Sequence, residues 1–323
     1  MGSKLILGID LGGTFTKIGL VDKEGNTHGT CVFRTDSQGP FENFLGRLKE
    51  ETGELLKKVR AGEALIAIGV GAPNINTHTG EMEHPPNFAW GDNVPIAETL
   101  ESWYDCPVFT ANDANAAALG ELLYGQGRGR DNFVVLTLGT GLGSGIIVDG
   151  KLLLGAHAMA GELGHMNAVP EGRKCKCGLK GCLETYASVT GIKRTIFELL
   201  ADRTENSPLR NVSFNELSGE MIADMALEGD AIAQEAFERT ASILGAKMAD
   251  TAAHLDPEAF ILSGGMSKAG DILLLPVIAS MEKHLFTAYK GKIKVLISKA
   301  VRDLAVLGPA ALAWMGIENK AAL

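Results

Sequence analysis

Two stretches of the sequence share one pattern. Residues 4–26, KLILGIDLGGTFTKIGLVDKEGN, and residues 132–155, NFVVLTLGTGLGSGIIVDGKLLLG, each run from an apolar segment through a glycine turn into a second apolar segment. Each then closes on a turn signal, Gly25-Asn26 in the first and Asp149-Gly150 in the second. A repeat of such long period predicts two related α/β domains, each opening with a hairpin whose glycines let backbone come close to a ligand. The intervening segments fit this plan: an amphipathic stretch over 41–60, a strand in ALIAIGVGAP (64–73), and a strand-to-helix unit in PVFTANDANAAALGELLYG (107–125). Beyond residue 184 the pattern is mainly helical to about 255, followed by the strand AFILSGG (259–265) and a further helix. The apolar segment DLAVLGPAALAWMG (303–316) predicts a last helix, shaped or kinked at Gly308-Pro309. Strands alternating with helices argue for α/β layers. The expected boundary lies near residue 120: a first domain of 1–120 completed by helix 304–323, and a second of 121–303.

With 323 residues the chain has room for two domains, each with its own core. Hydrophobic residues at 46% and charged residues at 21% are ordinary for a folded protein, and no low-complexity tract interrupts them. The 30 Lys and Arg against 39 Asp and Glu give a net charge of -9, which speaks against a nucleic-acid partner and for small molecules. No apolar run reaches the roughly 18–20 residues that cross a bilayer, and the amino terminus enters a strand-like segment without a cleavage signal. The expectation is a cytoplasmic protein with no membrane partner. Three of the five cysteines fall within eight residues, which suits metal ligation in a reducing compartment better than a disulfide framework. Cys31 and Cys106 are left as core or surface thiols.

Three loops have the character of phosphate sites. Asp10-Leu11-Gly12-Gly13-Thr14, Gly139-Thr140-Gly141-Leu142-Gly143 and Ser263-Gly264-Gly265-Met266 each follow an apolar strand. Glycine lets amides point inward together, and such nests attract phosphate oxygens. Threonine adds a hydroxyl donor, and a carboxylate such as Asp10 beside a phosphate site helps hold Mg²⁺ or its waters. None of the loops has the spacing of a P-loop or of a dinucleotide-binding turn. Asn112-Asp113 marks the junction of a strand with an alanine-rich helix. Both residue types cap helices well, and the positive end of a helix also keeps a carboxylate ionised and ready to accept a proton. Capping and catalysis are both open at this junction.

Residues 164–184, GHMNAVPEGRKCKCGLKGCLE, hold the strongest signal. His165, Cys175, Cys177 and Cys182 supply one imidazole and three thiolates, a set that fits tetrahedral Zn²⁺, and Gly178 and Gly181 allow a tight fold around the ion. Four protein ligands leave no open position, so the ion is expected to be structural. Glu162 and Glu184 flank the ligands, and a zinc knot would fix these acids and an imidazole edge where they can meet the hydroxyls of a ligand.

Gly161-Glu162-Leu163-Gly164-His165 and Cys175-x-Cys177-Gly178-x-x-Gly181-Cys182-x-Glu184, with the Asp10–Thr14 loop, Asn112-Asp113 and Gly139–Gly143 in the expected order, resemble the ROK family of sugar kinases, repressors and related proteins. The resemblance spans nearly the whole chain and implies two actin-like ATPase (ribonuclease H-like) domains with an interdomain cleft. It implies an ATP-dependent kinase acting on the 6-hydroxyl of a hexose, first of all glucose. Kinases of N-acetylglucosamine, N-acetylmannosamine or fructose, and a sugar-sensing transcriptional repressor, are the alternatives it carries. By the same resemblance Asp113 is the catalytic base, and Asn112, Glu162, His165 and Glu184 bind sugar hydroxyls. Gly12, Gly13, Thr14, Gly139, Thr140, Gly141, Gly143, Gly264 and Gly265 bind ATP with Mg²⁺, and the assembly is a homodimer. His165 would serve zinc with one ring nitrogen and sugar with the other. The sequence departs from the family at Ala72-Pro73-Asn74, where family glucokinases usually carry Pro-Gly, so Asn74 becomes a candidate sugar contact; the Thr14-Phe15-Thr16-Lys17 stretch also varies within the family, and Lys17 is a candidate phosphate contact.

Overall fold

The computed structural model describes residues 4–59, 63–85, 88–299 and 304–321. The chain divides into two compact units, one of Met1–Gly129, Gly155–Ala158 and Lys299–Leu323, the other of Arg130–Leu154 and Met159–Ser298. The boundary expected near residue 120 falls inside a helix that continues to Tyr124, which places the division after Gly129 instead.

In the first unit the chain runs β1 (Lys4–Leu11), β2 (Phe15–Val21), β3 (Thr27–Arg34), α1 (Phe41–Leu56), β4 (Ala64–Ala72), β5 (Met82–Glu83), β6 (Asn93–Val94), α2 (Ile96–Trp103), β7 (Val108–Asn112) and α3 (Asp113–Tyr124). β1, β2 and β3 form an antiparallel meander, and β4 and β7 join β1 in parallel to give the sheet β3-β2-β1-β4-β7. Alternate residues of a strand face opposite sides, and both sides of β1 are covered. Leu5, Leu7 and Ile9 pack with Phe44 and Leu48 of α1, whereas Ile6 packs with the last helix, α8 (Leu304–Ala321), through Val306, Ala310 and Ala313. Burial on both faces is why this strand reads as one continuous apolar run.

The second unit repeats the path. β8 (Phe133–Leu138), β9 (Leu142–Val148) and β10 (Lys151–Leu152) form the meander, and β11 (Ala259–Ser263) and β12 (Lys294–Ile297) add in parallel, giving β10-β9-β8-β11-β12. Asp149 and Gly150 both have positive φ, 49° and 69°, the geometry of the tight hairpin turn that an Asp-Gly pair favours. Between meander and β11 lie α4 (Val189–Asp202), α5 (Gly219–Leu227) and α6 (Ala231–Leu255), and α7 (Asp271–His284) precedes β12. Val134, Leu136 and Leu138 of β8 share a core with Leu244 and Met248 of α6 and Val277 and Met281 of α7.

α8 is continuous through Pro309 and lies on β1 and β4 of the first sheet. It comes so close that a Cβ at Gly69 would run into the Pro309 carbonyl, and one at Gly8 into the Val306 carbonyl. Among the described residues no helix is long and apolar enough to cross a membrane.

Gly69→Ala forces a methyl group against helix backbone that cannot step aside, and overpacking of this kind costs about 1–3 kcal/mol. The variant should unfold at lower urea concentration than the wild type. An unchanged denaturation midpoint would show that α8 docks less tightly than described.

Candidate functional site

In the first unit the polar residues of interest gather past the carboxyl ends of three adjacent strands. Asp10 of β1 pairs in register with Gly71 of β4, and Ala72 of β4 with Asn112 of β7. The β1–β2 turn is closed by the Gly12 amide donating to the Phe15 carbonyl at 3.1 Å. Buried Thr35 braces it from behind, its amide donating to the Thr14 carbonyl at 3.0 Å and its hydroxyl to the Gly12 carbonyl at 2.6 Å. With these carbonyls tied back, Thr14 is left exposed at the turn, and its hydroxyl is a donor of the kind that a phosphate accepts from.

Lys17 lies across the hairpin from Asp10, and its Nζ is 3.7 Å from Asp10 Oδ2. Burial pushes the Asp10 carboxyl up to about 6, against the pull of Lys17 and with a further push from the charge of Asp113. Asn112 is the N-cap of α3, accepting from the Ala114 amide at 2.9 Å, and Asp113 Oδ1 accepts from the same amide at 2.7 Å. The Asp113 side chain is open to solvent on one side, yet the protein around it desolvates the carboxylate and raises its pKa above the ordinary 3.8. That amide bond opposes the rise. Asn74 is exposed with a left-handed φ of 50°, and its Nδ2 donates to the His84 carbonyl at 3.3 Å. The left-handed conformation is one that glycine and asparagine both tolerate.

In the second unit the two glycine loops are neighbours, because Thr137 of β8 pairs with Ser263 of β11. Gly264 has φ 87° and ψ -179°, a conformation open only to glycine, and a Cβ there would meet the Leu138 backbone at 2.7 Å. The helix expected directly after this loop is preceded by a short 3₁₀ turn, Gly265–Ala269. The β8–β9 turn is tied to α4 by the Val189 amide, which donates to the Gly139 carbonyl at 2.8 Å. Thr140 at its tip is exposed, and Gly143 pairs with Thr137 at its base.

The ligand atoms of His165, Cys175, Cys177 and Cys182 all lie within 4.8 Å of one another. Cys177 Sγ is 3.6 Å from Cys182 Sγ, and Cys175 Sγ is 3.8 Å from His165 Nδ1. Ligands at about 2.0–2.3 Å from a tetrahedral zinc stand roughly 3.3–3.8 Å apart, so donor chemistry and spacing of these pairs both fit that ion. Burial pushes the Cys175 thiol up, and its Sγ donates to Glu184 Oε1 at 3.1 Å. His165 Nε2 lies on the other side of the ring, 3.9 Å from Glu162 Oε2. The geometry thus separates one imidazole nitrogen for the thiol cluster from one that faces an acid. Glu184 also touches the glycine turn: a Cβ on Gly141 would sit 2.8 Å from Glu184 Oε2. The metal loop and the β8–β9 turn therefore pack as one piece.

Two groups that shape this region carry no local sequence signal. Ser144 of β9 donates its hydroxyl to the Gly161 carbonyl and accepts from the Leu163 amide at 3.3 Å, fixing the backbone on both sides of Glu162. The Arg173 side chain is largely enclosed and is bonded to α4 and to Thr185. In sequence it is one more cation beside Lys174, Lys176 and Lys180.

Comparison with known proteins agrees with this architecture. The ROK family matches residues 6–315. A glucokinase of Thermotoga maritima is 34% identical over 315 residues, covering 95% of this chain and 96% of that protein. The crystal structure of a ROK family glucokinase from Streptomyces griseus in complex with glucose and AMPPNP superposes with a TM-score of 0.82 at 33% identity, covering 97% of this chain and all of that one. A ROK family transcriptional regulator, a homologue of the Escherichia coli MLC protein, gives a TM-score of 0.86 at 28% identity, with 98% of this chain and 78% of the regulator covered. The duplicated sheet is the actin-like ATPase fold, and the chain belongs to the ROK family.

Proposed function

We propose that the protein is an ATP-dependent glucokinase that phosphorylates the 6-hydroxyl of glucose. The single observation that carries this reading is the contact of Glu184 with Gly141, which sets a candidate hydroxyl-binding acid of the metal loop against a candidate phosphate turn within one unit. The glucokinase relatives support it across the whole length of the chain.

The roles follow from the chemistry of each group. Glu162 and Glu184 accept hydrogen bonds from sugar hydroxyls, Asn112 and His165 bind further hydroxyls, and Asn74 in the loop after β4 adds a contact. Asp113 takes the proton of the 6-hydroxyl as that oxygen attacks the γ-phosphorus of ATP, and ADP departs with the electrons of the broken P–O bond. The glycine turns at Gly12, Gly13, Gly139, Gly141, Gly143, Gly264 and Gly265 let backbone come close to the phosphates, and the hydroxyls of Thr14 and Thr140 with the Lys17 ammonium hold phosphate oxygens.

Asp10 suits Mg²⁺, since an oxygen ligand beside a phosphate turn is the usual protein contribution to that ion, and a cation there offsets the burial of the carboxylate. Mg²⁺ would supply positive charge to the transferring phosphoryl group. Zinc on His165, Cys175, Cys177 and Cys182 would be structural, because the four ligands fill its coordination sphere. The same reading includes a cytoplasmic setting and a homodimer.

A coupled assay of ADP release over glucose, fructose, mannose, N-acetylglucosamine and N-acetylmannosamine tests the assignment. Glucose should give the highest kcat/KM, and preference for an N-acetylated sugar would replace the substrate while keeping the chemistry. Asp113→Asn removes the base and should lower kcat by about 10²–10⁴-fold. The raised native pKa of Asp113 means that the neutral form is favoured by folding, so the stability contributed is present at low pH and lost as pH rises through that pKa. The Asn variant should therefore be at least as heat-stable as the wild type at pH 7, and near-wild-type turnover in it would refute the base. Activity needs the ionised form, so kcat/KM should fall on the acid side with an inflection above the ordinary 3.8, and an acid limb at or below that value would contradict the desolvated carboxylate.

A further inference from the structure

Arg173 is the one strongly buried cation of the metal loop, with 9% of its side chain exposed, and all five of its N–H donors are used. Nε and Nη2 grip the two carboxylate oxygens of Glu198 at 2.9 and 2.5 Å. Nη1 donates to the carbonyls of Thr185 at 2.7 Å and Gly191 at 3.0 Å, and Nη2 also donates to Thr195 Oγ1 at 2.9 Å. The guanidinium lies 4.5 Å from the centre of the Tyr186 ring, whose hydroxyl accepts from the Arg173 amide at 2.8 Å.

Arg173 and its partners bracket the three thiols along the chain. Arg173 precedes Cys175 by two residues, and Thr185 directly follows Glu184. Gly191, Thr195 and Glu198 lie on α4, a helix outside the loop. The same helix is capped by Ser188, which accepts from the Gly191 amide at 3.0 Å and donates to the Glu184 carbonyl at 2.7 Å. The backbone at Glu184 is thus held to a rigid element from two directions, and neither link passes through the thiols.

We infer that Arg173 is a positioning residue, a metal-independent anchor that fixes Glu184 for the sugar and holds the Cys175–Cys182 segment in its ligand-ready shape. This rests on the sugar-kinase reading for Glu184, but the anchoring itself does not. A planar five-donor fork can join three separate chain segments, whereas an ammonium at the same place acts as a point charge. Lysine should therefore fail to replace it.

The test uses the zinc-loaded full chain as wild type, Arg173→Lys and Glu198→Gln. It measures KM for glucose and for ATP separately, and the rate of zinc transfer to a chromogenic chelator. Arg173→Lys should raise KM for glucose by about 10- to 100-fold, with KM for ATP at the wild-type value, and should speed zinc transfer. Glu198→Gln keeps the guanidinium and its bonds to Thr185 and Gly191, so it should shift both readouts the same way by less, and it carries the test if Arg173→Lys does not fold. Wild-type KM and wild-type zinc transfer in Arg173→Lys would overturn the anchor. A parallel rise in KM for both substrates would also overturn it, because that marks a loosened unit rather than a displaced acid. Should the wild type turn over no hexose, the functional reading fails while zinc transfer still decides the anchor.

Discussion

Glu162, His165 and Glu184 belong to a segment whose regular structure is two 3₁₀ turns and two isolated β-bridges, so cross-links rather than a strand or long helix must set their positions. The tightest of these links is the convergence of one imidazole and three thiols within 4.8 Å. Zinc on such a quartet would contribute on the order of 10 kcal/mol to the folded state of the peptide around it, enough to offset the ordering of many residues. The arrangement then gains its accuracy from the scaffold nearby. Ser144 pins the backbone around Glu162, Ser188 and Arg173 pin that around Glu184, and Gly141 leaves room for the Glu184 carboxylate. Polar groups held by several directional contacts keep a defined geometry where a loop of apolar side chains would not.

The two units solve a similar problem in different ways. Each places its candidate ligand-binding groups past the carboxyl ends of parallel strands, where open sheets of this kind leave room for a ligand. The first unit uses charge in a desolvated setting: Asp10 and Asp113 are both driven toward the neutral form by burial, and Lys17 only partly relieves Asp10. Such strain is expected where a protein holds a group ready for chemistry at some cost in stability. The second unit relies instead on glycine at Gly264, where any side chain would collide with the Leu138 backbone, and at Gly141, where one would displace the Glu184 carboxylate.

Much of this was legible in the sequence, and what was missed follows a rule. The hairpin repeat could be read because β1, β8 and their partner strands are buried on both faces and so are written as apolar runs. β3 closes the first meander but is an edge strand with most residues partly or fully exposed, and no hydrophobic pattern marks THGTCVFR as a strand. β12, KVLI, is too short to stand out from its lysine-rich surroundings. The thiols and His165 could be grouped because their chemistry is rare and their spacing short. Arg173 and Ser144 could not, since what distinguishes them is a set of partners on α4 and in the Gly161 turn that only the folded chain brings near.

The return of α8 to the first sheet has a consequence for biosynthesis. The unit that opens with β1 is completed by a helix made after the second unit, so β1 and β4 emerge from the ribosome with the face around Gly8 and Gly69 uncovered. The whole second unit, which needs nothing beyond Ser298, can assemble while that face waits. Until α8 arrives, Ile6 and Ala67 remain a bare apolar strip on a nascent sheet, which is the interval in which this chain is most exposed to aggregation and to chaperones.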